Sequence, residues 1–402
     1  MKILFLDQSG KPGGAELCLI DIAKPYRDSA LVGLFADGPF RHLLEQQQIS
    51  VQVLATQPLQ VRKESSWVKG LGSLGQLAPM IARVALLSRD YDLIYANTQK
   101  ALVVGALASF FSRRCLVYHL HDILSADHFS RTNRRLAVTL ANRASLVIAN
   151  SKASQAAFVA AGGRSDITEV VYNGFEPEFI SVPDRDSYSP SATISRMGEV
   201  FDSNENRYNF SQLRQQMGLD GRFLVGHFSR LSPWKGQHIL LEALAHCPND
   251  VAAIFVGEAL FGEQDYVKSL HEQVTVLGLE ERVRFLGFRS DVVPLMKVCD
   301  LIAHTSTAPE PFGRVIVEAM LCGRPVVAAQ SGGAIELVET GQTGWLVPPG
   351  EPLLLAEAIA TCRNQPEQAA IIARQAQIQA SQRFQMSTIN QQIAELLSRC
   401  LP

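Results

Sequence analysis

The segment Glu310-Pro-Phe-Gly-Arg-Val-Ile-Val-Glu318 sets two carboxylates eight positions apart, with a Pro-Phe-Gly turn after the first. The apolar run from Val315 to Leu321 then reads as a short buried helix. If that helix starts near Gly313, its free backbone N–H groups point at whatever precedes it, and such an end attracts phosphate. Glu310 stands in the loop ahead of the phosphate, and Glu318 stands more than a turn further along, within reach of a ribose. One acid for a sugar, N–H groups for a diphosphate and one acid for a ribose suit a nucleotide-sugar. Paired acids on a helix are commonly solvated surface, but Glu318 lies inside an apolar run, where an unpaired carboxylate is costly.

Other groups sit where strands are expected to end. Ser229-Arg230-Leu-Ser-Pro-Trp-Lys235-Gly236 follows one strand and precedes a helix, giving two cations at one junction. Arg clamps phosphate oxygens with two N–H bonds and Lys acts as a point charge, though both types also populate surfaces. Phe285-Leu-Gly-Phe-Arg289 ends another strand, where backbone can meet the edge of a base. In the first half, Ser9-Gly-Lys-Pro-Gly13-Gly14-Ala-Glu16 joins a strand to a helix. A glycine pair there lets backbone approach a ligand, or simply makes a tight turn; it is not Gly-x-Gly-x-x-Gly, so a dinucleotide reading is poor. His119 and His121 share a face of a third strand, and His121, at its end beside Asp122, is expected to reach the crevice, where an inward histidine would be core. Asp184-Arg-Asp186 and Asp90-Tyr-Asp92 match Asp-x-Asp, yet neither follows a strand, so no metal is expected. Arg131, Arg134, Arg135 and Arg143 punctuate a helical stretch, which reads first as a solvated face and second as a contact with an anionic membrane or a lipid diphosphate.

These groups need a scaffold that gathers strand ends. The chain has 402 residues, comfortable for two domains. At 47% hydrophobic and 19% charged it is globular. A net charge of −2 argues against a dedicated nucleic-acid binder. Residues 1–178 hold 19 Lys and Arg against 15 Asp and Glu, and the remainder 18 against 24. Seven scattered cysteines without Cys-x-x-Cys spacing suggest free thiols in a reducing compartment. The opening apolar run is too short for a signal peptide, and Ala101 to Phe111 is too short to span a bilayer, so a cytoplasmic protein is expected. Short apolar runs alternate with helical patterns throughout, from Ile3–Leu6 to Pro325–Ala328, which predicts α/β doubly wound parallel sheets, two of them. The expected division is an N-terminal Rossmann-like domain at 1–180, a Ser-, Asn-, Asp- and Pro-rich linker or excursion at 181–215, and a second Rossmann-like domain at 216–384. An amphipathic helix is expected at 385–402, from Met386, Ile389, Ile393, Leu396 and Leu397.

Together these motifs resemble the family 4 retaining glycosyltransferases of GT-B fold. The resemblance covers most of the chain and rests on Gly13-Gly14-Ala15-Glu16, His121-Asp122, Ala149-Asn150-Ser151, Tyr172-Asn173-Gly174, Ser229-Arg230-Leu231 with Lys235-Gly236, Glu310 through Glu318, Ser331-Gly332-Gly333 and Gly344-Trp345-Leu346-Val347. It implies two facing Rossmann-like domains with an inter-domain cleft, the last helix crossing back to the first domain. It implies that Arg230 and Lys235 hold the donor diphosphate and Glu318 the ribose. It also implies that Glu310 holds sugar hydroxyls, that backbone at Phe312, Gly313, Arg314 and Val315 touches sugar and phosphate, and that His121 sits near the transferred group. Glu310 and His121 are thus the catalytic candidates. Gly14 and Arg289 join the donor set, and Gly13, Glu16 and Asn97 are the acceptor candidates. Asn97 stands where many relatives carry histidine, and the 181–210 excursion is longer than usual.

The expected activity is transfer of a hexose from a UDP-sugar, UDP-glucose first, to a glycan or lipid-linked acceptor in polysaccharide or glycoconjugate synthesis. The resemblance implies no cofactor and no metal, protein cations neutralising the departing diphosphate, and same-face attack by the acceptor hydroxyl, whose proton passes to a donor phosphate oxygen. It places the chain in the cytoplasm or peripherally at the inner face of the membrane. The rival readings are a nucleotide-sugar epimerase on the same scaffold and a non-catalytic sugar-nucleotide or glycan-binding subunit.

Overall fold

The computed structural model describes residues 1–54, 71–125, 129–176, 199–201, 207–260 and 262–401. Two compact units emerge, the first comprising Met1–Gly174 with Met386–Pro402 and the second Phe175–Gln385.

In the first unit, short β-branched and apolar runs form seven strands: β1 (Ile3–Asp7), β2 (Ala30–Leu34), β3 (Ser50–Val53), β4 (Leu93–Ala96), β5 (Cys115–Leu120), β6 (Leu146–Ala149) and β7 (Thr168–Val170). All pairs are parallel, in the order β3-β2-β1-β4-β5-β6-β7. Parallel neighbours need crossovers. The described ones carry α1 (Gly14–Ala23), α2 (Pro39–Gln46), α3 (Leu71–Leu87), α4 (Gln99–Ser112), α5 (Arg131–Ala141) and α6 (Lys152–Ala160). Successive side chains point to opposite faces. Leu4, Leu6, Ile94 and Ala96 therefore enter one core, and Ile3, Phe5, Leu93 and Tyr95 the other. That double burial is why β1 and β4 are apolar throughout rather than alternating.

The second unit repeats the plan. Its sheet holds β10 (Phe223–Phe228), β11 (Val251–Val256), β12 (Val283–Gly287), β13 (Leu301–His304), β14 (Val326–Ala329) and β15 (Trp345–Val347) in the parallel order β12-β11-β10-β13-β14-β15. Around it lie α7 (Phe210–Gln216), α8 (Gln237–His246), α9 (Gln264–Val276), α10 (Val292–Val298), α11 (Arg314–Leu321), α12 (Ala334–Leu337), α13 (Pro352–Asn364) and α14 (Pro366–Arg383). In both units the first strand is central and the strand order reverses beside it, the doubly wound arrangement.

Sequence patterning misses β7 and β15, which are only three residues long and lie at sheet edges. The stretch expected as a linker contains an antiparallel ladder, β8 (Glu199–Phe201) with β9 (Arg207–Asn209), and the start of α7. Residues 177–198 and 202–206, including Asp184 and Asp186, lie outside the described residues. Arg131, Arg135 and Arg143 are exposed while Ala137, Val138 and Ala141 are buried, so the arginines lie at the surface and the apolar residues face inward. No helix among the described residues is long and apolar enough to cross a membrane. None of the seven cysteines is joined in a disulfide.

The final helix, α15 (Met386–Arg399), returns to the first unit. Its Ile389, Ile393, Leu396 and Leu397 join the core beneath Ile3, Phe5, Leu19 and Tyr95. Their three- and four-residue spacing makes one apolar stripe. Replacing Ile393 with Ala should destabilise the first unit by about 2–5 kcal/mol, measured as a shift of its transition in chemical denaturation. A shift within about 0.5 kcal/mol, ordinary for a surface site, would show that this stripe does not seal the face.

Candidate active site

Open doubly wound sheets bind ligands beyond the carboxyl ends of the strands where strand order reverses. In the second unit that point lies between β10 and β13. The loop after β10 carries Arg230, Trp234 and Lys235, and the loop after β13 carries Ser306, Glu310 and Gly313.

A buried network locks these loops together. Thr305 Oγ1 donates to the Lys235 and Gly236 carbonyls at 3.1 and 2.8 Å. With that proton spent, Thr305 Oγ1 accepts from His227 Nε2 at 3.0 Å. Burial lowers the His227 imidazole to about 3, so the ring is a neutral strut. Gly236 has φ +71°, and a Cβ there would stand 2.0 Å from the Thr305 carbonyl oxygen, so only glycine lets the loops meet. Gln237 Nε2 donates to Ser229 Oγ and to the Arg230 carbonyl, fixing the start of the loop.

Glu310 is the hub. Its Oε2 accepts from Lys235 Nζ at 2.7 Å, from Ser306 Oγ at 3.0 Å and from His304 Nε2 at 3.1 Å. All three contacts fall on Oε2, and Oε1 takes none of them. Burial alone would raise this carboxyl, yet the Lys235 charge and the His304 bond outweigh it and hold Glu310 well below the usual carboxylate range. The Lys235 ammonium also lies 4.0 Å from the Trp234 ring centroid, with the Arg230 guanidinium 5.6 Å from the same ring. Trp234 therefore gathers both cations by its π face.

Glu310 is held from behind as well. Its carbonyl accepts from Gly333 N at 2.7 Å, and Glu310 pairs with Gly332 in a one-residue parallel bridge. At Gly332, with φ +60°, a Cβ would sit 2.2 Å from the Glu310 carbonyl oxygen. The Ser-Gly-Gly motif is thus a backing plate for the acid's loop.

Gly313 is the N-cap of α11, whose first turn has N–H groups without intrahelical acceptors. Val315 is half-buried in that turn. Arg314 Nε lies 3.5 Å from Glu318 Oε1, and its guanidinium lies over Phe175, 4.7 Å from the ring centroid. Burial raises Glu318 despite Arg314, so proximity to a cation does not fully offset its desolvation. The Phe312 ring is core, stacked on Phe175 and edge-on to Phe384, so only its backbone is placed for a ligand. Arg289 forks onto Asp291, Nε to Oδ1 at 2.7 Å and Nη2 to Oδ2 at 2.6 Å.

The first unit builds its own polar cluster at the reversal between β1 and β4. Asp7 ends β1 fully buried, and Asn97 follows β4. Asn97 Nδ2 donates to Asp7 Oδ2 at 2.7 Å, and Asn97 Oδ1 lies 2.9 Å from His121 Nε2. Gly13 caps α1, Gly14 is its first residue, and the Glu16 carboxyl turns back onto the N–H groups of Gly13 and itself. Burial and then the nearby Asp7 push Glu16 up to about 8, and burial pushes Asp7 up to about 6. His119 is core, its Nδ1 2.8 Å from the Tyr95 hydroxyl. Sequence reasoning did not single out Asp7, Tyr95, His227, His304 or Ser306 as site residues. Their one available signal is a polar residue close to the C-terminal end of an apolar strand, from one position before it to two beyond it.

Residues 209–379 match the family described as glycosyl transferases group 1, and residues 12–179 match glycosyltransferase family 4. The Anabaena protein Alr3699/HepE, solved in complex with UDP-glucose, is 63% identical, covers 99% of this chain and 100% of its own, and superposes with a TM-score of 0.87. Spore coat protein SA of Bacillus subtilis is 34% identical over 155 residues, 36% of this chain and 40% of that protein. D-inositol 3-phosphate glycosyltransferase of Corynebacterium efficiens is 27% identical over 286 residues, 69% of this chain and 64% of that protein. The chain thus spans 40% and 64% of the lengths of these two curated relatives.

The elevated Glu16 carboxyl has a measurable consequence. Between its ordinary value of 4.5 and about 8, the folded chain keeps a proton that the unfolded chain releases, so stability falls as pH rises through that window. One such proton is worth up to about 1.4 kcal/mol per pH unit. Glu16→Gln should flatten the stability curve above about pH 7, where Asp7 has largely titrated, and stabilise the fold at pH 8 relative to the parent. Chemical denaturation across that range checks this, and an unchanged slope would contradict it.

Proposed function

The chain belongs to glycosyltransferase family 4, with GT-B fold, and from that membership we propose that it transfers glucose from UDP-glucose to a glycan or lipid-linked acceptor with retention at the anomeric carbon. The choice of donor rests on the Anabaena relative, whose crystals hold UDP-glucose in one case and UDP with glucose in another. The observation that carries the mechanism is the division of labour on Glu310, whose Oε2 is occupied by Lys235, His304 and Ser306. That leaves Oε1 for a sugar hydroxyl.

In this reading Lys235 and Arg230 face the diphosphate, and the N–H groups of Gly313, Arg314 and Val315 add donors at the opening of α11. These charges stabilise the negative charge that builds on UDP as the glycosidic bond breaks. Arg314 also steadies Glu318, which takes the ribose hydroxyls. Arg289 is held by Asp291, so its part in donor binding is through the adjoining backbone. His121, oriented by Asn97, serves the transferred sugar, and Gly13, Gly14 and Glu16 belong to the first unit's ligand loop. The acceptor hydroxyl loses its proton to a donor phosphate oxygen. Protein cations supply the charge neutralisation, and the proposal contains no catalytic metal. The epimerase reading is set aside, because none of the relatives named above carries that activity in its name.

A ligand that binds the native state raises its apparent stability. UDP and UDP-glucose should raise the melting temperature, and GDP-mannose and ADP-glucose should not. UDP-glucose labelled at the anomeric carbon should be consumed slowly without acceptor, and NMR should show α-glucose appearing first. A larger shift with GDP-mannose would overturn the donor, and β-glucose appearing first would overturn retention.

A further inference from the structure

Beneath the first unit's ligand loop, Cys18 on α1 and His119 and His121 at the end of β5 converge. One ligand atom from each lies within 4.8 Å of the others. The two imidazole rings stand 3.9 Å apart between centroids.

Their outer partners decide which nitrogens are available. His119 Nδ1 meets the Tyr95 hydroxyl, and its Nε2 is buried with no hydrogen-bond partner. His119 is only 2% exposed, so bulk solvent does not reach the ring. With the proton on Nδ1, donated to Tyr95, Nε2 presents a bare lone pair. His121 Nε2 faces the Asn97 carbonyl oxygen, which accepts from it and orients the ring. A ring nitrogen freed by a hydrogen bond on its opposite nitrogen is how proteins prepare histidine ligands. Cys18 Sγ lies 3.4 Å from Asn173 Oδ1 and supplies the third, softer donor. One thiolate and two imidazoles suit zinc, which holds its ligands roughly 3.5 Å apart and accepts water as a fourth. Binding would draw the three donors from within 4.8 Å to that spacing.

We propose that Cys18, His119 and His121 form a binding site for a soft divalent cation, Zn²⁺ first, and that its occupation inhibits transfer by sequestering His121. Binding releases the Cys18 thiol proton to solvent, and the cation takes one lone pair from each residue without redox change. The inhibitory half rests on the proposed role of His121; the binding half does not.

The test separates the two halves. The metal-free chain, titrated with Co²⁺, should develop a thiolate-to-cobalt charge-transfer band saturating at one equivalent, which Zn²⁺ then abolishes by displacement. Cys18→Ala and His119→Gln should each lose the band; the Cys18 variant keeps the other six thiols and so controls for them. Zn²⁺ should lower UDP-glucose turnover by about tenfold or more in the parent, reversibly with chelator. The Cys18 variant, unchanged in basal turnover, should resist. No band, or one that survives in the Cys18 variant, overturns the site. A band without inhibition overturns the regulation. Absent turnover under all conditions counts against the proposed function, and the band still decides the site.

Discussion

A carboxylate buried beside an ammonium is the constraint on which the second unit's site depends. Glu310 and Lys235 stand 2.7 Å apart with side chains 11% and 16% exposed. Removing one member of such a pair strands the other, at a cost of about 3–5 kcal/mol. An exposed pair such as Arg41–Glu45 is screened by solvent and contributes far less. The buried pair is therefore tightly specified, but a well-packed apolar pair could match it for stability alone. Under the proposed function its value lies in what it does for a ligand: a cation already desolvated and aimed, and an acid with one oxygen committed.

Everything around the pair fixes its geometry. His227 and Thr305 tie the Lys235 loop to the end of β13, His304 and Ser306 fill the committed oxygen, and Gly332 and Gly333 support the acid's backbone. The first unit follows the same logic with different chemistry. Its strand reversal gathers Asp7, Asn97, Glu16 and His121, and there burial raises the two acids, where Lys235 lowers Glu310. One topology thus yields an acid held charged in one unit and acids that lose their protons at raised pH in the other.

Much of the fold was legible because parallel strands covered on both faces are apolar throughout. Ile3–Leu6, Leu93–Ala96 and Leu301–His304 announce themselves, while edge strands such as Thr168–Val170 are too short to carry a pattern. Lys235 and Glu310 were each legible as polar residues beyond strand ends. Their direct bond was not, since 75 positions separate them and only the sheet order brings their loops together. His304 was hidden by reading as the last residue of a strand, and Cys18 by sitting in an apolar helix face. Arg289 shows the opposite limit: a cation at a strand end whose partner, Asp291, lies two residues away. Asp184 and Asp186, weighed as a metal motif, lie outside the described residues.

The central claim is that the two oxygens of Glu310 do different things, one holding Lys235 for the diphosphate and the other meeting the sugar. Calorimetric affinities for UDP and for UDP-glucose in Lys235→Met and Glu310→Gln test it most directly. The account predicts that Lys235→Met weakens both ligands by a similar factor of about tenfold or more, the worth of a charged hydrogen bond. Glu310→Gln should weaken UDP-glucose by about tenfold while leaving UDP within about threefold of the parent. Equal losses for the two ligands in Glu310→Gln would contradict it.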